Sequence, residues 1–378
     1  MRMILMDLVL DDDGSESLRD GIMDTLVSQN YMKLCKKMRD TSMYLRKGFD
    51  AKFELVDQLV SIHDHTSQAS NHQDSSNDEE NEDSTSTLCP FVVRICYTRN
   101  MILVGNALKE TNAIEFFDLN SKKHLHTMVI ENVPYYLCVE ENDVFSSGAK
   151  SRRVLNDEPC FMYSDDSNLR KYKLNEITKH GKKCREEFSN NESNHSDSPK
   201  VKHEWNALFS NATSVTIQYS KNNDATQNII YICTNRDINI LNSVSGIVLG
   251  KIDMSASLSR NIICLEILEE SGELVLFSKD RFYVLRKKVD NDINSWAITK
   301  EFGQQHSDYP NVVDLVHDRV NHQFIACDYS SPDEKLLLFK DDGEFVKIQP
   351  QVGSVTCCLD ERDGILMVGC KDKILFYK

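Results

Sequence analysis

One short phrase recurs along this chain: two apolar strands joined by a polar turn. Its clearest copy is the segment Gly364–Lys378, in which Ile-Leu-Met-Val-Gly-Cys and Ile-Leu-Phe-Tyr flank Lys-Asp-Lys. The segments Leu276–Leu285 and Tyr231–Leu241 repeat the same kind of turn, and Phe324–Phe339 and Leu103–Asp118 are looser copies with longer turns. A unit that repeats together with its turn residues indicates a supersecondary module. The chain is therefore predicted to be built from copies of a β-hairpin.

The strand phrases fall into six groups of similar length, separated by turns rather than by helices. Five groups offer four strands each and the last offers only three. The groups are 91–130, 135–174, 214–252, 262–301, 312–348 and 354–377. This pattern is typical of a mainly β fold, a β-propeller with six blades, or with seven if another blade lies within 188–209. An unfinished blade would expose a sheet edge, so a strand from Thr85–Pro90 or Met3–Leu10 is expected to complete the last blade.

Residues 1–62 carry a different pattern and are predicted to form an amphipathic α-helical, coiled-coil-like segment. Between residues 15 and 62 there is no proline, and apolar residues recur three or four positions apart, which is the helical period. The seam predicted to bind a partner consists of Leu34, Met38, Leu45, Phe49, Phe53, Val56 and Val60. Self-association through residues 18–62, docking onto a partner, packing against the protein's own body and a loose helix are the alternatives.

Two polar stretches are predicted to be disordered. Residues 63–88 contain seven acidic residues, no lysine or arginine and almost nothing apolar, so this segment is interpreted as an acidic linker. Ser75 and Ser76 precede acidic residues there and are candidate phosphorylation sites. The second stretch, about 178–207, is interpreted as an insert between blades, with a small basic cluster from Lys179 to Arg185 and a candidate phosphorylation site at Ser198.

One blade group is similar to the repeats of a known propeller family. The segment Phe116-Phe-Asp-Leu119, a polar turn and His124-Leu-His-Thr-Met128 resemble a WD40 repeat, with Phe-Asp where that family has Trp-Asp. The resemblance covers residues 89–378 in its architecture. It implies a WD40-like propeller that serves as a rigid docking platform and has no chemistry of its own. The layout of helical segment, acidic tether and carboxy-terminal propeller also resembles that of propeller adaptors such as the fungal Tup-type corepressors.

Charge and cysteine content restrict the ligands and the compartment. The chain has 44 Lys and Arg against 59 Asp and Glu, a formal net charge of -15. This argues against nucleic acid as the main direct ligand, because sequence-independent binding needs a basic surface. The opening segment Met1–Leu10 is interrupted by Asp7 and lacks a signal-peptide pattern, and no stretch has the length and apolarity of a membrane span. Most of the 12 cysteines lie inside apolar strand phrases, as reduced thiols do, so a nuclear or cytoplasmic protein is expected.

No motif for catalysis or metal binding stands out, so the protein is predicted not to be an enzyme and to need no metal or cofactor. The sequence lacks a phosphate-binding glycine loop, a nucleophile elbow, a metal-binding helix pair and a kinase signature. Asp314 and His317 suggest an acid–base pair. They lie three positions apart in a predicted strand, however, so their side chains should point to opposite faces and share no proton path.

These features predict a non-catalytic scaffold or adaptor subunit of an intracellular multiprotein complex, with the nucleus as the preferred location. Loops at the blade edges would hold protein partners through a few arginine and aromatic anchors. The candidate anchors, chosen for their turn positions, are Arg99, Arg152, Arg153, Arg236, Arg281, Tyr309, Arg319 and Arg362. Two alternatives stay open. One is an accessory propeller subunit of a nucleic-acid-modifying enzyme, and the other is a propeller hydrolase with polar residues in its central channel.

Overall fold

The computed structural model describes residues 47–60, 88–107, 112–141, 158–165, 167–179, 202–220, 227–278, 281–289, 292–303, 311–329, 335–349 and 353–378. Within these ranges the strands form six four-stranded antiparallel sheets, the blades. Blade 1 contains β2 (Pro90–Cys96), β3 (Met101–Ala107), β4 (Asn112–Asp118) and β5 (His124–Ile130), and blade 2 contains β6 (Tyr136–Glu140), β7 (Cys160–Ser164), β8 (Asn168–Lys173) and β9 (Trp205–Leu208).

The remaining blades follow in the same order along the chain. Blade 3 contains β10 (Ala212–Gln218), β11 (Ile229–Thr234), β12 (Asp237–Asn242) and β13 (Val248–Asp253), and blade 4 contains β14 (Ile262–Leu268), β15 (Glu273–Ser278), β16 (Arg281–Lys287) and β17 (Trp296–Phe302). Blade 5 contains β18 (Val312–Asp318), β19 (Gln323–Asp328), β20 (Lys335–Lys340) and β21 (Phe345–Gln349). Blade 6 contains β22 (Thr356–Asp360), β23 (Ile365–Gly369), β24 (Ile374–Tyr377) and, from the amino-terminal side, β1 (Leu55–Leu59).

The first strand of each blade lies on the inner wall of a closed ring. β2, β6, β10, β14, β18 and β22 each contact the first strands of the two neighbouring blades, and β22 contacts β2. The ring therefore closes with six blades, and the prediction of a mainly β, six-bladed propeller is confirmed. The described part of 188–209 forms no seventh blade, because Trp205–Leu208 is the outer strand of blade 2.

The hydrophobic core is divided among the six gaps between neighbouring blades. Successive residues of a strand point to opposite faces of its sheet, so one strand serves two gaps. In β23, Leu366 and Val368 pack in the gap toward blade 5, whereas Met367 packs in the gap toward blade 1. Middle strands are covered on both faces, and every residue of β19 is buried. This explains why the strand phrases read as continuous apolar runs.

The turn between the first and second strands has the same form in blades 1, 4, 5 and 6. Each of these turns ends in a residue with positive φ: Asn100 at 54°, Gly272 at 72°, His322 at 51° and Gly364 at 68°. Glycine and asparagine adopt this left-handed conformation most readily. At Gly364 a β-carbon would also lie 2.6 Å from the carbonyl oxygen of Gly48. Glycine is therefore required there by the backbone angle and by the neighbouring chain.

An amino-terminal strap, residues 47–54, leads into the strand that completes blade 6. β1 pairs antiparallel with β24, with Gln58 opposite Leu375. In the strap, the Phe49 N–H donates to Asp318 Oδ2 at 2.8 Å. The Phe49 carbonyl accepts from Gln323 Nε2 at 3.1 Å. The strap therefore fastens onto blade 5 before its strand closes blade 6, and no outer edge of β24 is left open.

The predicted helix is wrong over residues 47–60. Ala51 and Phe53 have φ of 61° and 58°, which no right-handed helix accommodates, and β1 follows them. Phe49 and Phe53 are buried in the gap between blades 5 and 6 rather than on a partner-binding seam. Their rings pack edge-to-face with centroids 5.0 Å apart. The aromatic spacing that resembled a helical period comes from two side chains that an irregular strap inserts into a core.

Other amino-terminal predictions fall partly outside the described chain. Val56 and Val60 are exposed, at 47% and 44%, on β1 and just after it. Of the two predicted closing strands, Met3–Leu10 lies outside the described residues. The described end of Thr85–Pro90 leads into β2 instead, with Leu88 fully buried between blades 6 and 1. The predicted linker 63–88 therefore ends one residue too late, and the strand that closes the ring is Leu55–Leu59.

The insert predicted at about 178–207 is shorter in the structure than in the prediction. Residues 174–179 are helical, and residues 205–207 belong to β9. Trp205 holds this strand in place because its indole N–H donates to the Ser243 carbonyl of blade 3 at 2.9 Å. Several predicted site residues lie outside the described ranges: Leu34, Met38, Leu45, Ser75, Ser76, Arg152, Arg153, Ser198 and Tyr309. Over the described ranges, no helix has the length and apolarity to cross a membrane.

Candidate functional site

A channel of about 200 Å³ runs along the inner wall of the ring and is lined by residues from all six first strands. At one end, the residue that directly follows the first strand lines the opening in every blade except blade 2. We call the six residues at this position the mouth ring: Tyr97, Glu141, Tyr219, Glu269, Arg319 and Glu361. Glu141 directly follows β6 and lies within hydrogen-bond distance of blade 1. The face of the propeller that carries this ring and the turns after the first strands is called the mouth face.

The mouth ring is acidic and ties neighbouring blades together. Arg319 lies 2.7 Å from the Glu269 carboxylate and 3.7 Å from that of Glu361. Glu141 accepts hydrogen bonds from the N–H groups of Tyr97 and Thr98 at 2.9 and 2.8 Å, yet burial raises the pKa of its carboxyl. The carboxyl groups of Glu269 and Glu361 therefore share the opening with the one guanidinium of Arg319, and the field there favours a cation.

Three positions before each mouth-ring residue, a second residue faces the channel. This waist ring consists of Arg94, Cys138, Thr216, Glu266, Val316 and Cys358. Burial raises the pKa of the Cys138 and Cys358 thiols to about 12 each. Both thiols are therefore protonated near neutral pH, and a protonated thiol is a poor nucleophile.

The guanidinium of Arg94 is paired inside the ring. It donates to both carboxylate oxygens of Asp314, at 3.2 and 3.1 Å. Asp314 also accepts from Thr356 Oγ1 at 2.6 Å and from the Cys357 N–H at 3.1 Å. The Arg94 guanidinium also stacks over the Tyr136 ring at 4.5 Å. Blades 1, 5 and 6 thus share one buried network, and the charges of Arg94 and Asp314 cancel each other.

Glu266 has no such partner. Its carboxyl group lines the channel, and no hydrogen-bond or ion-pair partner contacts it among the described residues. Burial raises its pKa to about 7, although Arg319 and Arg94 act in the opposite direction. An unpaired carboxyl group in a desolvated position is costly. The Glu266 carboxyl group could therefore accept a hydrogen bond from a donor, or pair with a cation, that enters the channel.

A second cavity, of about 530 Å³, opens between blades 4 and 5 beside the mouth. Glu269, His317 and Arg319 line both this cleft and the channel. His317 Nε2 lies 2.9 Å from Asp341 Oδ1, and burial lowers the pKa of its imidazole. His317 is therefore neutral at physiological pH, and its hydrogen bond to Asp341 fixes the ring.

The candidate arginines do not act together as one set. Arg99, Arg319 and Arg362 lie on the mouth face. On the opposite face, Arg236 lies in the turn after β11, and Arg281 begins β16. Each has an intramolecular contact. Arg362 donates to Asn100 Oδ1 at 3.1 Å, Arg99 donates to Asn175 Oδ1, Arg236 to the Leu258 carbonyl and Arg281 to Glu301. Arg362, Arg99 and Arg319 therefore join neighbouring blades, and none is an unpaired anchor.

The prediction that Asp314 and His317 do not form an acid–base pair agrees with their contacts. Asp314 pairs with Arg94, and His317 pairs with Asp341. Glu266 and the mouth ring were not predicted. The signal for the ring was present, because every member comes directly after a first strand. Over the described ranges, no group of three or more His, Cys, Asp or Glu side chains is arranged to hold a metal ion.

No protein-family model and no curated protein matches this sequence. Solved structures with similarity include the β-propeller domain of Cps50 (Swd1) from Myceliophteria thermophila, with 11% identity, TM-score 0.48, and coverage of 76% of this chain and 82% of that chain. A functionally unknown protein from Desulfotomaculum acetoxidans has 11% identity, TM-score 0.42 and coverage of 70% and 71%. A chain of a mitotic checkpoint complex has 9% identity, TM-score 0.44 and coverage of 83% and 99%. The fold assignment rests on the strand order and ring closure described above.

Proposed function

We propose that this protein is a non-catalytic scaffold subunit of an intracellular multiprotein complex, and that the mouth face of the propeller docks a protein partner. The observation that carries this proposal is the position of the cleft and the acidic channel mouth, side by side on one face of a closed ring. Concave, preformed sites with a few polar groups are where proteins bind their ligands. A rigid ring loses little conformational entropy when it binds, which favours such a platform.

The chemistry inside the channel supports binding rather than catalysis. The thiols of Cys138 and Cys358 are held protonated. Asp314 is engaged by Arg94, and His317 is engaged by Asp341. A hydrolase in the channel would need a nucleophile with a base in hydrogen-bond reach, and the described residues place none beside Glu266. The nucleic-acid alternative depends on the cations Arg152 and Arg153 and those from Lys179 to Arg185, of which only Lys179 lies within the described residues.

The proposed location is the nucleus or the cytoplasm. The described cysteines are all free thiols, and Cys233, Cys264, Cys327 and others are fully buried in the gaps between blades. Buried reduced thiols are ordinary in a reducing compartment. The proposed partner contact of the amino-terminal segment narrows to residues 18–46, including Leu34, Met38 and Leu45, because residues 47–60 are part of the propeller.

Adding positive charge to the mouth face is expected to weaken the binding of partner proteins. We predict that Glu270→Lys combined with Val320→Lys lowers co-purification of stoichiometric partners at least about tenfold, which corresponds to about 1.4 kcal/mol of binding free energy. Both residues are exposed in mouth-face turns, so the fold should be unaffected. The measurement is affinity purification from native cells with quantitative mass spectrometry and chemical cross-linking.

The matched control is Asp372→Lys, an exposed residue in a turn on the opposite face. It should leave the partner set unchanged, and cross-links should map to the mouth face. If both variants retain the same partners, docking occurs elsewhere. If the wild-type protein purifies alone, the scaffold proposal is wrong.

A further inference from the structure

Glu266 is the one waist-ring carboxyl group, and no residue in the described part of the chain pairs with it. Arg94 faces the same channel, but its guanidinium is engaged by both oxygens of Asp314 and by the carbonyls of Val93 and Cys357. The remaining waist positions next to the two charged residues are a hydroxyl, two protonated thiols and a valine. None of these supplies a positive charge to Glu266.

The approach to Glu266 from the mouth suits a long side chain with a cationic end. At the opening, the mouth ring contributes the carboxyl groups of Glu269 and Glu361 and the guanidinium of Arg319, and Tyr97 and Tyr219 also line it. Farther in, Cys138, Val316 and Cys358 offer an apolar wall. Lysine and arginine combine an apolar stem with a charged head, so the stem would contact this wall while the head meets a carboxylate. The volume of about 200 Å³ admits one such side chain and no folded element.

A second group with unmet hydrogen-bonding capacity lies where the channel meets the cleft. The His317 side chain is only 8% exposed, and its Nδ1 has no hydrogen-bond partner among the described residues. His317 lines the channel with Glu266 and lines the cleft with Glu269. Orphaned buried polar atoms are rare in folded proteins and call for a cause. Here His317 Nδ1 is such an atom, and it lines the same channel as the half-buried Glu266 carboxyl group, which has no partner among the described residues.

We propose that the channel receives one cationic side chain, a lysine or arginine of a partner protein, which enters at the mouth ring and ends on the Glu266 carboxylate. This inference rests on the proposed docking function and assigns the chemistry of the docked group. A half-buried carboxylate that lacks a partner gains most from a cation that reaches it directly. The partner protein therefore has a lysine or arginine at the position that enters the channel, and the residues on either side of it lie over the mouth face.

Binding of a cation should depend on pH in a defined direction. The groups that face Glu266 are Arg94 and Asp314 from the first strands of blades 1 and 5, Arg319 from the turn after β18, and Glu269 from its own blade. With the pKa of Glu266 raised to about 7 by burial, the free carboxyl is mostly protonated at pH 6 and mostly charged at pH 8. A cation binds the charged form, so affinity should be about tenfold weaker at pH 6 than at pH 8.

The test uses the full chain and a peptide with one central lysine, acetyl-Gly-Ser-Gly-Lys-Gly-Ser-Gly-amide. Matched peptides carry acetyl-lysine or arginine at the centre, and calorimetry is run at pH 8 and pH 6. Wild-type protein should bind the lysine and arginine peptides at pH 8, and the acetyl-lysine peptide at least about tenfold more weakly. Glu266→Gln should lose at least about tenfold in affinity for the lysine peptide and lose the pH dependence. Glu131→Gln, an exposed carboxyl outside the channel, should bind like wild type.

Each result decides the inference. No binding of the lysine peptide, equal binding of the acetyl-lysine peptide, or unchanged binding by Glu266→Gln would overturn it. Spermidine is titrated in parallel, and tighter binding of spermidine than of the peptide would assign the channel to a free polyamine instead. If the mouth-face variants lose partners but the peptide results are negative, docking stands and only the inserted cation is wrong. Glu266→Gln removes a buried charge and keeps the side-chain shape, and thermal unfolding at pH 8 checks that it folds.

Discussion

Replacing Phe49 by alanine is expected to lower the free energy of unfolding by about 3–5 kcal/mol, one of the largest single effects in this protein. Phe49 is only 1% exposed and packs among Ile325, Leu336 and Leu366 in the gap between blades 5 and 6. Truncation would leave a cavity that a close-packed gap cannot refill. It would also loosen the strap, whose Phe49 N–H donates a hydrogen bond to Asp318. Urea unfolding followed by circular dichroism measures the effect.

The control for Phe49 is Val56→Ala on β1, which should change stability by less than about 1 kcal/mol because Val56 is 47% exposed. Two truncations extend the test. Removing residues 1–46 keeps the strap and β1 and should leave cooperative unfolding intact. Removing residues 1–60 deletes both, so the open edge of β24 should give aggregation or loss of the transition. A soluble, cooperative protein without residues 1–60 would show that the strap is dispensable.

The repeated hairpin allowed the propeller to be predicted because its signal is local. Strand phrases such as Phe324–Cys327 and Leu336–Phe339 contain their own apolar runs, and turn residues such as Gly364 mark where the chain must reverse. The need for a fourth strand in the last blade was also predictable, because β22, β23 and β24 alone leave an unpaired sheet edge. Counting the groups predicted six blades and left a seventh open within 188–209.

The closing strand was misplaced because its partner is far away in the sequence. Leu55–Leu59 pairs with Ile374–Tyr377, and nothing within residues 47–60 themselves indicates a strand more strongly than a helix. Phe49, Phe53, Val56 and Val60 recur at three- and four-residue intervals, which is the helical period. Only the positive φ of Ala51 and Phe53 breaks that period, and a positive φ at these residues leaves no signature in the sequence.

The channel escaped prediction for a similar reason. It exists only after the ring closes, when Arg94 and Asp314, 220 positions apart, come within hydrogen-bond distance. Glu266 stands in an otherwise apolar strand phrase, Ile262–Leu268, and nothing in the phrase distinguishes it from a polar residue on an exposed strand face. The inner-strand register places it at the waist instead. Aligning the six groups on the residue after each first strand would have revealed the mouth ring but not which carboxyl group stays unpaired.

Asp314→Asn is expected to destabilise the propeller by about 3–5 kcal/mol, because it leaves the Arg94 guanidinium buried without a counter-charge. The Asp314 and Arg94 side chains are only 4% and 15% exposed, so water cannot replace the lost carboxylate. The amide also brings a donor to face the donors of Arg94, and it weakens the acceptor for Thr356 Oγ1 and the Cys357 N–H. Urea unfolding at neutral pH measures the loss.

The double variant Arg94→Met with Asp314→Asn distinguishes the effect of losing the charge pair from the effect of losing side-chain packing. Removing the guanidinium abolishes the uncompensated charge, so the double variant should be more stable than Asp314→Asn alone, although it carries one more substitution. Methionine fills much of the space of the arginine stem and keeps the contact with the Tyr136 ring. If the losses measured for Asp314→Asn alone and for Arg94→Met alone simply add in the double variant, the two side chains contribute independently. The blades around the channel would then be held by packing in their gaps and not by the charge pair.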